Sequence, residues 1–210
     1  MTLKVNPYQP DDRIIKKAAK IVNEGGVIAF PTETFYGLAA LAFDTKAIKR
    51  LFLLKKRPFS SPIAILIKDK HTLIEITKEI PEEAEKLIER FWPGPLTIVF
   101  SARENIPDLL TSGKGKIGMR ISASKIAQSL VQNVGFPITA TSANISGDAD
   151  PIEVNQIAST LGTGIDLILD GGRATLNKAS TILDVTTKPF KVLREGAIRK
   201  KEIFSCLDTE

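Results

Sequence analysis

The chain of 210 residues contains one cysteine, one histidine and one tryptophan. A lone thiol, Cys206, cannot close an intrachain disulfide and leaves no cysteine-rich zinc module. A lone imidazole, His71 between Lys70 and Thr72, leaves no His-rich metal site and argues against a Ser–His or Cys–His hydrolase. No apolar run approaches the roughly 18–20 residues that span a bilayer. Met1 to Pro10 have neither the charged start nor the apolar stretch of a secretion signal. A soluble, cytoplasmic protein with no membrane partner is expected. No G-x-x-x-x-G-K-[ST] occurs, and Ser112-Gly113-Lys114-Gly115-Lys116 is basic and glycine-rich without that spacing. No G-x-G-x-x-G follows the first predicted strand, and there is neither an H-E-x-x-H nor a G-x-S-x-G motif.

What remains is ordinary globular material: 43% hydrophobic and 25% charged residues, with 14 Gly and 12 Pro, which excludes disorder and collagen-like repeats. At this length roughly 70% of the unfolded surface is buried on folding, enough for one domain with a real core. The formal net charge of +5 is unevenly placed. Lys46 to Lys68 holds seven bases and no acid, Lys188 to Lys201 six bases and one acid, and Glu75 to Arg90 six acids and three bases. Such a field suits phosphate-bearing ligands, nucleotide or RNA, although each cluster alone also reads as a solvated helix face.

Periodicity gives alternating helices and strands. Asp11 or Asp12 caps a helix with Ile14, Ile15, Ala18, Ala19 and Val22 on one face, stopped by Gly25-Gly26. Val27 to Phe30 reads as a buried strand. A helix opens at Thr45, a strand covers Pro62 to Ile67, and a helix starts at Pro81 behind three glutamates. Strands follow at Leu96–Phe100 and Ile117–Ile121, then a helix over Ser124–Val134 and a strand over Ile138–Thr141. Helix Glu153–Leu161, strand Leu167–Leu169 and a pair of closing strands, Ser180–Val185 and Phe190–Leu193, complete the pattern. This predicts a single α/β domain with an open, twisted, mixed and largely parallel sheet flanked by helices.

Polar clusters fall directly after predicted strands, where open α/β sheets bind ligands. Pro31-Thr32-Glu33-Thr34-Phe35-Tyr36-Gly37-Leu38 places two hydroxyls and a carboxylate before a glycine turn; it reads as a grip on a small polar molecule or as a plain capped turn. In Lys55-Lys56-Arg57-Pro58-Phe59-Ser60-Ser61-Pro62 the prolines fix the path of the loop, and Arg57 presents the planar fork that phosphates need. The same bases could merely complement a helix terminus. Thr139 to Gly147 joins small side chains with Ser142 and Asn144. Arg120 and Arg194 each sit within or after an apolar strand and require an acidic partner or an anionic ligand. His71 is expected on the surface, and Trp92 as a packed turn anchor.

Six motifs, in order, resemble the YrdC (TsaC) family: Pro31–Leu38, Lys55-x-Arg57-Pro58, Phe91-Trp92-Pro93-Gly94-Pro95-Leu96-Thr97, Ser142-Ala143-Asn144-x-Ser146-Gly147, Ser180-Thr181-Ile182 and Leu193-Arg194-Glu195-Gly196. The resemblance covers residues from about 10 to about 200. It implies one domain over 1–210 with a deep, positively charged cavity, and no additional C-terminal domain of the kind longer members carry. The implied activity is threonylcarbamoyl-AMP synthesis from L-threonine, bicarbonate or CO2, and ATP, a nucleotidyltransferase reaction that supplies the t6A modification of tRNA. The catalytic set carried over is Lys55, Arg57, Ser142 and Asn144. The L-threonine pocket is Thr32, Thr34, Arg120, the backbone at Ala140, and Ser180. The ATP site is Arg57, Ser61, Lys116, Ser142, Asp150 and Arg194, with Mg2+ held by the ATP phosphates and no protein metal ligands. Phe35 replaces a usual Val, Ser61 stands where Asn is frequent, and Lys116 and Asp150 are uncommon choices. The resemblance also implies a downstream threonylcarbamoyl transferase complex as a partner. Two rival readings are a non-catalytic double-stranded RNA or tRNA-binding module of the same fold, and a paralogue acting on another carbamoyl-type substrate.

Overall fold

The computed structural model describes residues 1–207. Helix α1, Asp12–Asn23, forms where the sequence pattern places it: the Asp11 carboxylate accepts the amides of Arg13 and Ile14, and Ile15, Ala18, Ala19 and Val22 are buried. The other helices are α2 (Thr45–Leu54), α3 (Lys70–Ile76), α4 (Glu82–Phe91), the single turn α5 (Asp108–Thr111), α6 (Lys125–Val134), α7 (Val154–Leu161) and α8 (Lys200–Leu207). Among the described residues no helix is long and apolar enough to cross a membrane.

Eleven strands make two sheets. One contains β1 (Thr2–Lys4), β9 (Leu167–Asp170), β2 (Ile28–Pro31), β3 (Tyr36–Ala39) and β8 (Thr141–Ser142), in that order. The other runs β11 (Lys191–Arg194), β10 (Thr181–Asp184), β5 (Leu96–Ser101), β6 (Lys116–Arg120), β4 (Ile65–Leu66), β7 (Ile138–Thr139). Four strand pairings are parallel and five antiparallel, so the sheets are mixed, with less parallel character than the alternation of helices and strands predicts. The reason is connection length: β2 and β3 are joined by residues 32–35 and β10 and β11 by 185–190, and links this short can only return antiparallel.

The predicted strand Ile138–Thr141 breaks at Ala140, and its halves pair in different sheets. The Ala140 amide turns to the Ala64 carbonyl (2.7 Å), while the neighbouring Thr139 amide reaches the Ala40 carbonyl (2.9 Å). This crossing joins the sheets and opens a space between them.

Candidate active site

That space is a cavity of about 850 Å3, partly open to solvent. Its walls come from the segment after β2, the loop before β4, β5, the end of β6, the crossing at Ala140–Ser142, and the β10–β11 pair. The structure brings Thr32, Thr34, Arg57, Arg120, Ala140, Ser142, Asp150, Ser180 and Arg194 to this one lining.

Thr32 and Thr34, both buried, form a hydroxyl relay with Arg120. Arg120 Nη1 donates to Thr34 Oγ1 (3.3 Å), the two threonine hydroxyls are 2.8 Å apart, and Thr32 Oγ1 donates to the Phe35 carbonyl (2.7 Å). With the Thr32 proton committed to that carbonyl, Thr34 donates to Thr32 and keeps a lone pair for a ligand donor. The Ala140 amide is spent on Ala64, so its carbonyl is the backbone group it can offer.

Arg57 is fixed by its own loop: Nε donates to the Ser61 carbonyl (3.2 Å) and Nη2 to the Pro62 carbonyl (2.8 Å). The Phe52 and Phe59 rings, 4.9 Å apart, pin that loop to α2. Arg194 donates from Nε (3.1 Å) and Nη2 (2.9 Å) to the Ser180 carbonyl and from Nη2 to Ser180 Oγ (3.1 Å). Burial pulls the acidity constants of both guanidiniums below the usual arginine range; for Arg194 nearby Asp150 opposes that shift and Arg120 adds to it. Among the described residues no ion pair involves Arg57, Arg120 or Arg194. Three guanidiniums therefore face one lining carboxylate, Asp150, an arrangement that favours an anionic guest.

Lys55 and Asn144 stand behind the wall rather than in it. Lys55 is 1% exposed, and its Nζ donates to the Ser142 carbonyl, the Asn144 carbonyl (2.7 Å) and Asn144 Oδ1 (3.0 Å). Asn144 Oδ1 also accepts from Ser142 Oγ (2.6 Å), and its Nδ2 donates to the Asp148 carbonyl (2.7 Å) and Asp150 Oδ1 (3.3 Å). Together they shape the turn that aims Ser142 and Asp150 into the cavity. Burial, then repulsion from Arg57, lowers the Lys55 ammonium to about 8, against an opposing pull from Asp150.

Two expected ATP contacts lie elsewhere. Lys116 begins β6 and pairs with Asp184 at 3.0 Å, four residues and about 13 Å along the strand from Arg120. Burial acts to raise the Asp184 acidity constant, but hydrogen bonds from Thr186 and Lys116 hold it below the usual range. Ser61 contributes its carbonyl to Arg57, and its side chain does not line the cavity. Two lining residues carry no sequence-level assignment, Tyr36 and Thr97. The Tyr36 hydroxyl donates to the Gly172 carbonyl (2.6 Å), and burial, with Asp170 next, raises its acidity constant. Both lie inside quoted motifs, but nothing in the spacing tells a lining side chain from a core one. Trp92 anchors its turn, donating to the Leu96 carbonyl (2.7 Å), and His71 is surface-exposed beside Glu75.

Residues 20–196 match the Sua5_yciO_yrdC family, described as Telomere recombination. A threonylcarbamoyl-AMP synthase of Pyrococcus abyssi is 43% identical over 189 residues, covering 90% of this chain and 56% of that protein. One of Bacillus subtilis is 37% identical over 197 residues, covering 92% of this chain and again 56% of the relative. The chain thus spans a little over half the length of these two relatives. The crystal structure of P. abyssi Sua5 complexed with L-threonine superposes with a TM-score of 0.96 at 39% identity, over 99% of this chain and 61% of the other. With the match running through every wall of the cavity, from the segment after β2 to Arg194, the chain belongs to the Sua5/YciO/YrdC family.

Proposed function

We propose that this chain is an L-threonylcarbamoyladenylate synthase, a nucleotidyltransferase that joins L-threonine, bicarbonate or CO2, and ATP into threonylcarbamoyl-AMP and pyrophosphate. The observation that carries the reading is a single cavity. Its floor pairs Arg120 with Thr34 and Ser180, and its rim pairs Arg57 and Arg194 with Ser142 and Asp150. Arg120 binds the amino-acid carboxylate, and Thr34 accepts a hydrogen bond from the amine or hydroxyl. The amine lone pair attacks the carbon of CO2 or bicarbonate to give a carbamate. A carbamate oxygen attacks the α-phosphorus of ATP, and the bond to the bridging oxygen breaks as pyrophosphate leaves. No protein nucleophile is required; Arg57 and Arg194 offset phosphate charge that the buried site holds in fixed positions.

Asp150 is the one carboxylate lining the cavity, and among the described residues no group of three or more His, Cys, Asp or Glu could hold an ion. Mg2+ in this reading arrives as MgATP, carried by the phosphates and neutralising their charge. The product's reactive acyl linkage calls for a transferase that passes the threonylcarbamoyl group to tRNA. The test is calorimetric titration of this chain with L-threonine, L-serine and glycine, followed by an assay of pyrophosphate release from MgATP and bicarbonate. Threonine-selective binding and threonine-dependent release are expected. Equal responses to glycine, or tight duplex RNA binding without threonine selectivity, would overturn the enzyme reading.

A further inference from the structure

Thr97 lies on β5 at the cavity wall, 4% exposed, with its Oγ1 2.9 Å from Ser180 Oγ. The backbone registers the two hydroxyls: Thr97 pairs with Ile182 and Leu96 with Thr181 in the parallel β5–β10 ladder, so Ser180 sits just ahead of that pairing. The Thr97 methyl is located by what Gly118 lacks. A Cβ on Gly118 of β6 would fall 3.2 Å from Thr97 Cγ2 and 3.3 Å from Ala64 Cβ. The methyl therefore fills the space beside Gly118. Because a β-branched side chain is stiff at χ1, this leaves the hydroxyl directed at Ser180.

Hydrogen-bond arithmetic then sets the direction of the Thr97–Ser180 bond. Ser180 Oγ has one proton and two lone pairs, and Arg194 Nη2 already occupies one lone pair at 3.1 Å. The only hydrogen-bond partner of the Thr97 hydroxyl among the described residues is Ser180 Oγ. If Thr97 donates, both lone pairs of Ser180 are taken, and its own proton is free to point into the cavity. A hydroxyl receiving two hydrogen bonds, one from a guanidinium, is polarised into a better donor.

We propose that Thr97 is a positioning residue that makes Ser180 a hydrogen-bond donor to an acceptor oxygen of the amino-acid substrate, its carboxylate or the carbamate formed on it. The inference rests on the synthase reading above and adds a residue to its amino-acid subsite. Thr97 does not touch the nucleotide half of the cavity, where Arg57, Ser142 and Asp150 lie, so its effect is confined to one substrate.

The test compares wild type with Thr97→Val, which keeps the shape and loses the hydroxyl, and Thr97→Ser, which keeps the hydroxyl and loses the methyl. Calorimetry should give L-threonine affinity about 10-fold weaker for the valine variant and within about threefold of wild type for the serine variant. The KM for MgATP should stay within about twofold in both, and thermal melts establish that both are folded. A valine variant that binds threonine as wild type does, or a serine variant as impaired as the valine one, would overturn the role of Thr97 while leaving the synthase reading in place. Wild-type protein that binds no L-threonine would overturn the synthase reading itself, and this proposal with it.

Discussion

Lys55 carries three hydrogen bonds on one nitrogen, and three acceptors require the three protons of an ammonium. Its charge and its burial are therefore in conflict, and the conflict gives a pH signature. The folded chain loses this proton near pH 8, whereas an unfolded chain keeps it to an ordinary 10.5. Between those values the unfolded state binds more protons than the folded one, so this group makes stability rise with pH, by up to about 1.4 kcal/mol per unit. Lys55→Met retains the stem and lacks the titration. Urea unfolding from pH 8 to pH 10 should find wild type gaining about 2–3 kcal/mol on the variant. A constant difference would mean that Lys55 titrates in the folded chain as it does in water. The sequence places Lys55, Arg57, Ser142 and Asn144 in motifs but says nothing of which face the guest. Lys55 and Asn144 support the wall from behind, and Lys116 pairs with Asp184 instead, because strand register rather than residue type decides direction.

At the level of elements, the β10–β11 pair forms one side of the cavity, and its geometry depends on Gly196. The Gly196 amide donates to Thr181 Oγ1 (2.9 Å), and an added Cβ would lie 2.1 Å from the Ala179 carbonyl oxygen and 2.7 Å from the Ser180 carbonyl carbon. Backbone cannot yield at such distances, so Gly196→Ala must displace Ala179 and Ser180. It is expected to cost about 1–3 kcal/mol and to weaken L-threonine binding measurably by calorimetry. Gly135→Ala is the control. There φ is +81° with nothing within 4 Å, so about 1 kcal/mol of backbone strain is expected with binding unchanged. Equal ligand affinity in both variants would refute the dependence of Ser180 on Gly196. Elements with a clean apolar period (α1, α2, α4, α6, β5) are legible in the sequence. Strand β3 is not, because Thr32 to Gly37 reads as a polar loop although Tyr36 to Ala39 are buried. The strand expected over Pro62–Ile67 shrinks to Ile65–Leu66. Pro62 has no amide to pair, and the Ile63 amide goes to the Leu110 carbonyl (3.1 Å).

Across the whole molecule, two apolar clusters meet at the junction of the sheets. One gathers α1 and α6 against β2 and β9; the other fills the space around α2, α4, β5 and β6. Between them Thr139, fully buried, accepts from the Ala40 amide (2.9 Å) and donates to the Leu38 carbonyl (3.0 Å) through its hydroxyl, while its own amide holds the Ala40 carbonyl. The side chain thus completes pairing that the break at Ala140 would leave open. Thr139→Val keeps the shape but strands a buried amide and a buried carbonyl, at roughly 1–3 kcal/mol. For a chain of this size that corresponds to a melting temperature lower by about 3–10 °C. Because neither cluster can be exposed without opening the cavity wall they share, calorimetry should find one transition in wild type and one in the variant. Thr139→Ser, which restores the hydroxyl, should recover most of the loss. Two resolved transitions would show that the sheets fold independently, and the cavity between them would then be a contact between separate units rather than part of one cooperative core.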